Sequence, residues 1–267
     1  MTNALAPIIE RTREEVELRR LDTPLSALEM AARDRVATDP PRPFAQALGR
    51  AGGGVSVIAE HKRSSPSAGV IRDDLTIEEV VGAYERGGAS ALSVLTEEFS
   101  FGGSLRDLRR AREGSALPVL RKDFIVEPYQ VTESMAAGAD AILLIVAALA
   151  PSALAELFAQ AGALGLEVLV EVHNEAELEA AVDLRAPVIG INNRDLTTLR
   201  VDPRTTFALV AAIPEGTVIV SESGWRTRDE LDRLERAGVD AVLIGEALMR
   251  SQDIESACRG LVLPGAG

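Results

Sequence analysis

From Val55 onward, short apolar runs recur along the chain, each followed by a loop, an amphipathic stretch and a glycine-containing turn. The runs fall at Val55–Glu60, Ala91–Leu95, Pro118–Lys122, Ala141–Val146, Glu167–Val172, Pro187–Asn192, Thr217–Ser221 and Ala241–Gly245. They are continuous rather than alternating and rich in Val, Ile and Leu. Strands of a parallel sheet, buried on both faces, read this way. Between them the pattern predicts helices. Thr76 is placed to cap Ile77–Arg86, with Glu78 and Glu79 in the first turn, where the helix dipole favours anions. Ser104 precedes Leu105–Arg112, Pro128 opens Tyr129–Ala137 and Pro151 opens Ser152–Ala163. Asn174 precedes Glu175–Leu184, Pro203 opens Arg204–Ala212 and Thr227 precedes Arg228–Ala237.

Three segments align without gaps: GGASALSVL (Gly87–Leu95), AGADAILLI (Ala137–Ile145) and AGVDAVLIG (Ala237–Gly245). Each is a helix end, a glycine cap and a strand start, so the repeat is a strand–helix unit. Eight units imply an α/β protein, a closed (β/α)8 TIM barrel, with a doubly wound sheet as the competing architecture. Ahead of the barrel, Ile8, Ile9 and Val16 suggest one helix and Leu25–Ala37 a second. Pro40, Pro41 and Pro43 break the chain, and Phe44–Leu48 looks like a short third helix. The expected organisation is a single domain: an N-terminal helical extension over residues 1–48, packed on a barrel over residues 49–267. Gly52-Gly53-Gly54 reads as a flexible lead into the first strand.

Composition narrows the function. Aromatics are 3%, so the core must be aliphatic. Net charge is 28 − 41 = −13, which argues against a nucleic-acid or anionic-membrane binder and requires any cations for an anionic substrate to be local. Cys258 is the only cysteine, so no intrachain disulfide forms and a reducing cytoplasm is expected. The charged N-terminus is no signal peptide, and the longest apolar run, Ala141–Ala150, is too short to span a bilayer.

In a (β/α)8 barrel the chemistry gathers at the C-terminal strand ends. Here those ends carry Glu60 and Lys62, Lys122, Glu171, Asn192 and Arg194, Glu222 and Ser223, and Gly245-Glu246. The opposite ends read as mostly small, apolar or helix-capping. Residues of equal parity on a strand share a face, so Glu60 and Lys62 point the same way, roughly 7 Å apart. By the same rule Lys122 goes with Phe124 and Asn192 with Arg194, whereas His61, Arg63, Asp123 and Asn193 turn outward or into loops. Two lysines, an arginine, three glutamates and an asparagine at one mouth suit acid–base chemistry. Gly224 and Gly245, after the last two strands, let backbone N–H groups approach an anion such as a phosphate. His173 reads as a loop residue. Two histidines and one cysteine make zinc improbable; no histidine completes a serine triad, and no G-x-G-x-x-G follows the first strand.

The stretches IAEHKRSSPSAG, LTEEFSFGGS, VLRKDFIVEPYQ, GADAILLIV, LVEVHNEAELEAA, IGINNRDLTTL, VSESG and LIGEALM resemble, in order, the indole-3-glycerol phosphate synthase family of tryptophan biosynthesis. The resemblance implies a (β/α)8 carboxy-lyase using no metal and no cofactor. Its substrate would be 1-(2-carboxyphenylamino)-1-deoxyribulose 5-phosphate, which loses CO2 and water to give indole-3-glycerol phosphate. It implies Lys122 as general acid for ring closure, and Glu171 and Lys62 as the acid–base pair of the later steps, with Glu60 orienting Lys62. Asn192 and Arg194 would bind near the substrate carboxylate and hydroxyls, and Glu222 and Ser223 match the family's strand-7 site. Phe101 and Phe124 would wall the anthranilate ring, while Ser65, Gly224, Gly245 and Glu246 would contact phosphate or substrate. Ser64-Ser65-Pro66-Ser67 would begin a loop able to fold over the substrate, stiffened by Pro66 and turned at Gly69. Ala68 stands where many relatives have Lys, and Trp225 where a smaller aliphatic residue is usual. The partner is expected to be a small phosphorylated molecule, with no nucleic acid, membrane or fused isomerase, on a monomer or homodimer. A Schiff-base aldolase using Lys122 and a non-catalytic phosphosugar-binding barrel are the competing readings.

Overall fold

A computed structural model describes residues 5–49, 54–66 and 68–262; Gly52, Gly53 and Ser67 lie outside the described residues. Eight strands form the barrel: β1 (Ser56–His61), β2 (Ala91–Leu95), β3 (Val119–Lys122), β4 (Ala141–Ile145), β5 (Glu167–Val172), β6 (Val188–Asn192), β7 (Val218–Glu222) and β8 (Ala241–Ile244). All are parallel and pair in sequence order. β8 closes onto β1 from Ser56↔Ala241 to Ala59↔Ile244, which excludes the doubly wound sheet. Each strand is buried on two faces. On β1, Val57 and Ala59 join the layer shared with the helices, and Ile58 faces the barrel interior.

The interior is built in layers from alternate strands. Ile58, Leu120, Leu169 and Val220 come from the odd strands. Two residues further along the same four strands stand Glu60, Lys122, Glu171 and Glu222, still facing inward. The polar residues therefore end strands whose earlier residues are core, and the alternation that buries Ile58 also aims Glu60.

The helices form the outer layer: α1 (Leu5–Asp22), α2 (Leu25–Thr38), α3 (Phe44–Leu48), α4 (Ile77–Arg86), α5 (Glu98–Phe101), α6 (Leu105–Gly114), α7 (Pro128–Ala136), α8 (Pro151–Leu164), α9 (Glu175–Asp183), α10 (Arg204–Leu209), α11 (Arg228–Ala237), α12 (Glu246–Met249) and α13 (Ile254–Val262). Thr76 and Thr227 form capping boxes with Glu79 and Glu230, as their spacing predicts. Several elements end sooner than their pattern suggests, two of them by turning into 3-10 helix. β4 stops at Ile145 because Val146–Ala148 winds into a 3-10 turn, and α10 tightens to 3-10 at Val210–Ala212 ahead of Pro214.

The extension does more than lie on the outside. α2 packs against α7. Phe44 and Leu48 of α3 are fully buried among the interior residues Ile58, Ala91 and Ala141, so α3 closes the barrel floor. Glu167, at the start of β5, accepts a hydrogen bond from the Ala45 N–H at the α3 N-terminus. The floor also carries a buried ion cluster that the sequence reading missed when it took those strand ends as mostly small or apolar. Asp140 is fully buried between Arg35 at 2.9 Å and Arg112 at 2.7 Å, and Arg112 also holds Asp39 at 2.6 Å. The arginines reach it from α2 and α6, far away in the chain, so no local pattern announces the cluster.

Candidate active site

At the C-terminal end of the barrel, the layer of Glu60, Lys122, Glu171 and Glu222 forms the base of a cavity of about 380 Å³. Lys122 Nζ lies 2.8 Å from Glu171 Oε2 and 3.2 Å from Glu222 Oε2. Burial alone would favour the neutral amine. The facing carboxylates of Glu171, Glu222 and Glu60 outweigh it and hold Lys122 above the ordinary lysine range, as an ammonium. For Glu171, burial favours the neutral acid but is overcome by Lys122 and His173, so the group lies well below the usual carboxylate range. Glu222 goes the other way. Burial, helped by the negative charge of Glu171, outweighs Lys122 and pushes its carboxyl up to about 7. One layer thus holds an ammonium, a firmly ionised carboxylate and a carboxyl that titrates near neutrality.

Above this layer, Lys62 Nζ pairs with Glu60 Oε1 at 2.8 Å, as their equal parity predicts. The walls come from the even strands, α5 and the loops. Leu95, Ile145, Asn192 and Gly245 top β2, β4, β6 and β8, Phe101 comes from α5, and Phe124, Arg194, Leu196 and Ser223 reach in from loops. Asn192 Oδ1 accepts from Ser223 Oγ at 2.9 Å and from the Arg194 N–H at 3.0 Å, which ties β6 to β7. Ser223 sits at φ 66°, a left-handed backbone that non-glycine residues rarely adopt and that concentrates at functional sites. Gly224, Gly245 and Glu246 line the same cavity, and Glu246 also pairs with Arg250 at 2.9 Å. Ser65 stands apart, in a side pocket of about 90 Å³ with Leu5 and Ile8 of α1 and Pro66. Lys62, Phe101, Phe124 and Arg194 border both spaces. The loop containing Ser65 is a short antiparallel ribbon, Ser64–Ser65 against Gly69–Val70, turned at Gly69 with φ 65°.

His61 and Arg63 turn away from the mouth as expected, whereas Asp123 still borders the cavity. His61 is buried against the helix layer. Arg63 pairs with Asp107, and Asp123 pairs with the buried Arg121, itself 3.0 Å from Glu133. Trp225 fits without strain. Its ring is buried, its N–H donates to Ser221 Oγ at 2.9 Å, and Phe207 meets it edge-on.

Four features escaped the sequence reading. His173 is indeed in the loop after β5, yet its Nε2 is 3.3 Å from Glu171 Oε1 and its Nδ1 2.9 Å from Glu177 Oε2. Glu97 lines the cavity and accepts from the N–H groups of Ser100 at 2.6 Å and Phe101 at 3.0 Å, which fixes α5 and the Phe101 ring it carries. Gly190 and Gly245 both leave room for carboxylates. A Cβ on Gly190 would stand 2.5 Å from Glu222 Oε1, and one on Gly245 would collide with the Glu60 carboxylate. The signal for Gly190 was present, a glycine inside an apolar strand, which marks a close approach by another group.

A family profile described as indole-3-glycerol phosphate synthase matches residues 5–261. The indole-3-glycerol phosphate synthase of Dehalococcoides mccartyi (strain CBDB1) is 48% identical over 261 residues, 97% of this chain and 99% of that protein. The synthase of Acidithiobacillus ferrooxidans (strain ATCC 53993 / BNL-5-31) is 49% identical over 253 residues, 94% of this chain and 95% of its own length. Among solved structures, the N-acetylmannosamine-6-phosphate 2-epimerase of Clostridium perfringens superposes with a TM-score of 0.63 over 80% of this chain and 93% of its own, at 15% identity, a likeness of fold alone.

Proposed function

The chain belongs to the indole-3-glycerol phosphate synthase family, and from that premise we propose that it converts 1-(2-carboxyphenylamino)-1-deoxy-D-ribulose 5-phosphate to indole-3-glycerol phosphate, CO2 and water. The observation that carries the reading is Lys122, a half-buried lysine whose Nζ lies between two carboxylates at the base of the cavity. Ring closure forms a bond from the aryl carbon bearing the carboxylate to the C2 carbonyl carbon. The carbonyl oxygen gains negative charge as the bond forms, and Lys122 donates the proton that quenches it. CO2 leaves with its bonding electrons returned to the ring. Loss of the new hydroxyl as water then needs an acid at oxygen and a base for a proton of the adjacent C1 methylene. Glu171, held ionised, is the base, and Lys62, oriented by Glu60, is the acid. Once Lys122 has given up its proton, Glu171 loses its nearest counterion and becomes more basic, which suits the order of the steps.

Phe101 and Phe124 supply faces for the aryl ring, and Arg194 and Lys62 supply cations for its carboxylate before it leaves. Asn192, Glu222 and Ser223 hold the hydroxyls, while the backbone near Gly224 and Gly245 and the side pocket at Ser65 receive the rest of the phosphorylated chain. The reaction requires a proton donor, an acceptor and a dry, shaped cavity, all provided by side chains of one chain, so a monomer or a homodimer serves equally. The unpaired, buried Cys258 suits a cytoplasmic setting. Among the described residues, no helix is long and apolar enough to cross a membrane. The Schiff-base alternative needs a neutral amine at Lys122, which three facing carboxylates oppose.

The test is fluorescence detection of indole-3-glycerol phosphate from the carboxyphenylamino-deoxyribulose phosphate, with Lys122→Ala beside wild type. Product from wild type with a loss of about 100-fold or more in the variant supports the reading. Equal rates remove Lys122 from its role, and a folded wild type that binds substrate without turnover removes the activity.

A further inference from the structure

An acid placed 2.8 Å from a buried carboxylate faces a competing acceptor. In a low-dielectric site, a lysine and a glutamate can neutralise each other by moving one proton between them, which would leave Lys122 unable to protonate a carbonyl. Something must keep the proton on nitrogen. The second oxygen of Glu171 points to what does so.

Glu171 Oε2 takes Lys122, and Oε1 faces His173 Nε2 at 3.3 Å, an ion-pair distance off the line of a hydrogen bond. His173 is largely buried and held from behind. Glu177, in the first turn of α9, accepts from the His173 backbone N–H at 2.8 Å and stands 2.9 Å from its Nδ1. The other oxygen of Glu177 takes Asn174 Nδ2 at 2.6 Å, and Asn174 caps the helix by accepting from the Glu177 N–H at 3.0 Å. The helix start therefore clamps the imidazole. Its charged neighbours are Glu171 from β5, Glu177 from α9 and Asp195 from the loop after β6, with Lys122 beyond Glu171. The nearest are all carboxylates, so the imidazole carries a proton. Burial opposes that charge, but Glu171 and Glu177 prevail and push His173 up to about 10.

We propose that His173 is a positioning residue whose imidazolium, clamped by Glu177, keeps Glu171 ionised and fixed in orientation, so that the proton stays on Lys122 until the substrate takes it. Two cations then share one carboxylate. Lys122 spends its charge in the reaction, and His173 is the cation that stays behind. The inference rests on the roles of Lys122 and Glu171 given above. It adds a residue that does not line the cavity.

The experiment compares wild type, His173→Gln and His173→Lys in two ways. One is the pH profile of kcat/KM for product formation. The other is the pH titration of the Glu171 carboxyl 13C resonance in the free protein, assigned by its disappearance in Glu171→Gln. His173→Gln is expected to lose about tenfold in kcat with KM within about threefold. The lower of its two acid-side ionisations, that of Glu171 below that of Glu222, should shift upward by about one pH unit, the tenfold change in proton affinity expected from one lost neighbouring charge. The Glu171 resonance should shift in the same direction. His173→Lys, which restores the charge, should return both toward wild type. Coincident profiles for His173→Gln and wild type overturn the proposal, and so does an equal shift in His173→Lys, which would make shape rather than charge the cause. Should His173→Gln not fold, Glu177→Gln is read the same way, with an unmoved resonance overturning the proposal. A wild type without turnover fails the functional reading alone, because the Glu171 titration still reports on His173.

Discussion

Replacing Lys122 with Met keeps most of the side-chain volume and removes the only cation in its layer. The variant leaves Glu171 and Glu222, both buried, with no ammonium between them. Taking one partner out of a buried pair costs about 3–5 kcal/mol while the remaining charges stay ionised. They need not stay ionised, and that makes the result pH-dependent. In wild type, Glu171 lies below its unfolded value of about 4.3. It therefore contributes stability above that pH, which is lost as pH falls. In Lys122→Met the folded value of Glu171 rises, opposed only by His173, and Glu222, already at about 7, rises further. A carboxyl raised in the folded state costs nothing below about pH 4.3. Above that it erodes stability by about 1.4 kcal/mol per pH unit until the folded value is passed. The destabilisation should thus be slight near pH 4.5 and reach about 3–5 kcal/mol near pH 7.5. At about 2 °C per kcal/mol for a chain of this length, that is a melting difference of about 6–10 °C. Thermal melts of both proteins across this range provide the measurement, with Lys122→Met/Glu171→Gln as the variant in which the slope should flatten. A melting difference that is the same at pH 4.5 and 7.5 would refute the electrostatic reasoning and reduce the change to packing.

Three further outcomes follow from the geometry. Gly190→Ala should push the Glu222 carboxylate aside by about 1 Å, a displacement that can cost about 100-fold in rate, while lowering stability by only about 1–3 kcal/mol; rates and melts on the same sample separate the two. Glu222→Gln should remove an ionisation near pH 7 from the kcat/KM profile, because that carboxyl is the group burial has moved there; an unchanged profile assigns the ionisation elsewhere. Arg121→Met should destabilise by about 3–5 kcal/mol, seen in denaturant unfolding, because it takes the buried cation from Asp123 and leaves Glu133 with Arg19 alone.

Much of this was legible in the chain because barrel strands obey a parity rule. Once Ile58 is core, Glu60 and Lys62 must face inward, and the same step carries Leu120 to Lys122, Leu169 to Glu171 and Val220 to Glu222. Helix starts were legible because Thr76, Asn174 and Thr227 sit beside their own helices. Long-range contacts were not. Nothing near Phe44 says that α3 will plug the floor, and nothing near Asp140 says that Arg35 will come to it across 105 residues. His173 lay between these cases. Glu177, its clamp, is only four residues away, but the same carboxylate is also a capping residue, and a sequence does not reveal that one side chain serves both.

The layered interior also separates two kinds of heritable change. The groups proposed for acid–base chemistry lie on strands β1, β3, β5 and β7, while β2, β4 and β6 end in Leu95, Ile145 and Asn192 and β8 runs into Gly245, which shape the space above them. Drift on the even strands can resize the chamber for a different molecule without disturbing proton inventory, except where a glycine already makes room for a carboxylate. A laboratory seeking a new substrate for this scaffold would randomise Leu95 and Ile145 and leave Gly190, Asn192 and Gly245 alone, letting selection explore fit while reactivity stays constant.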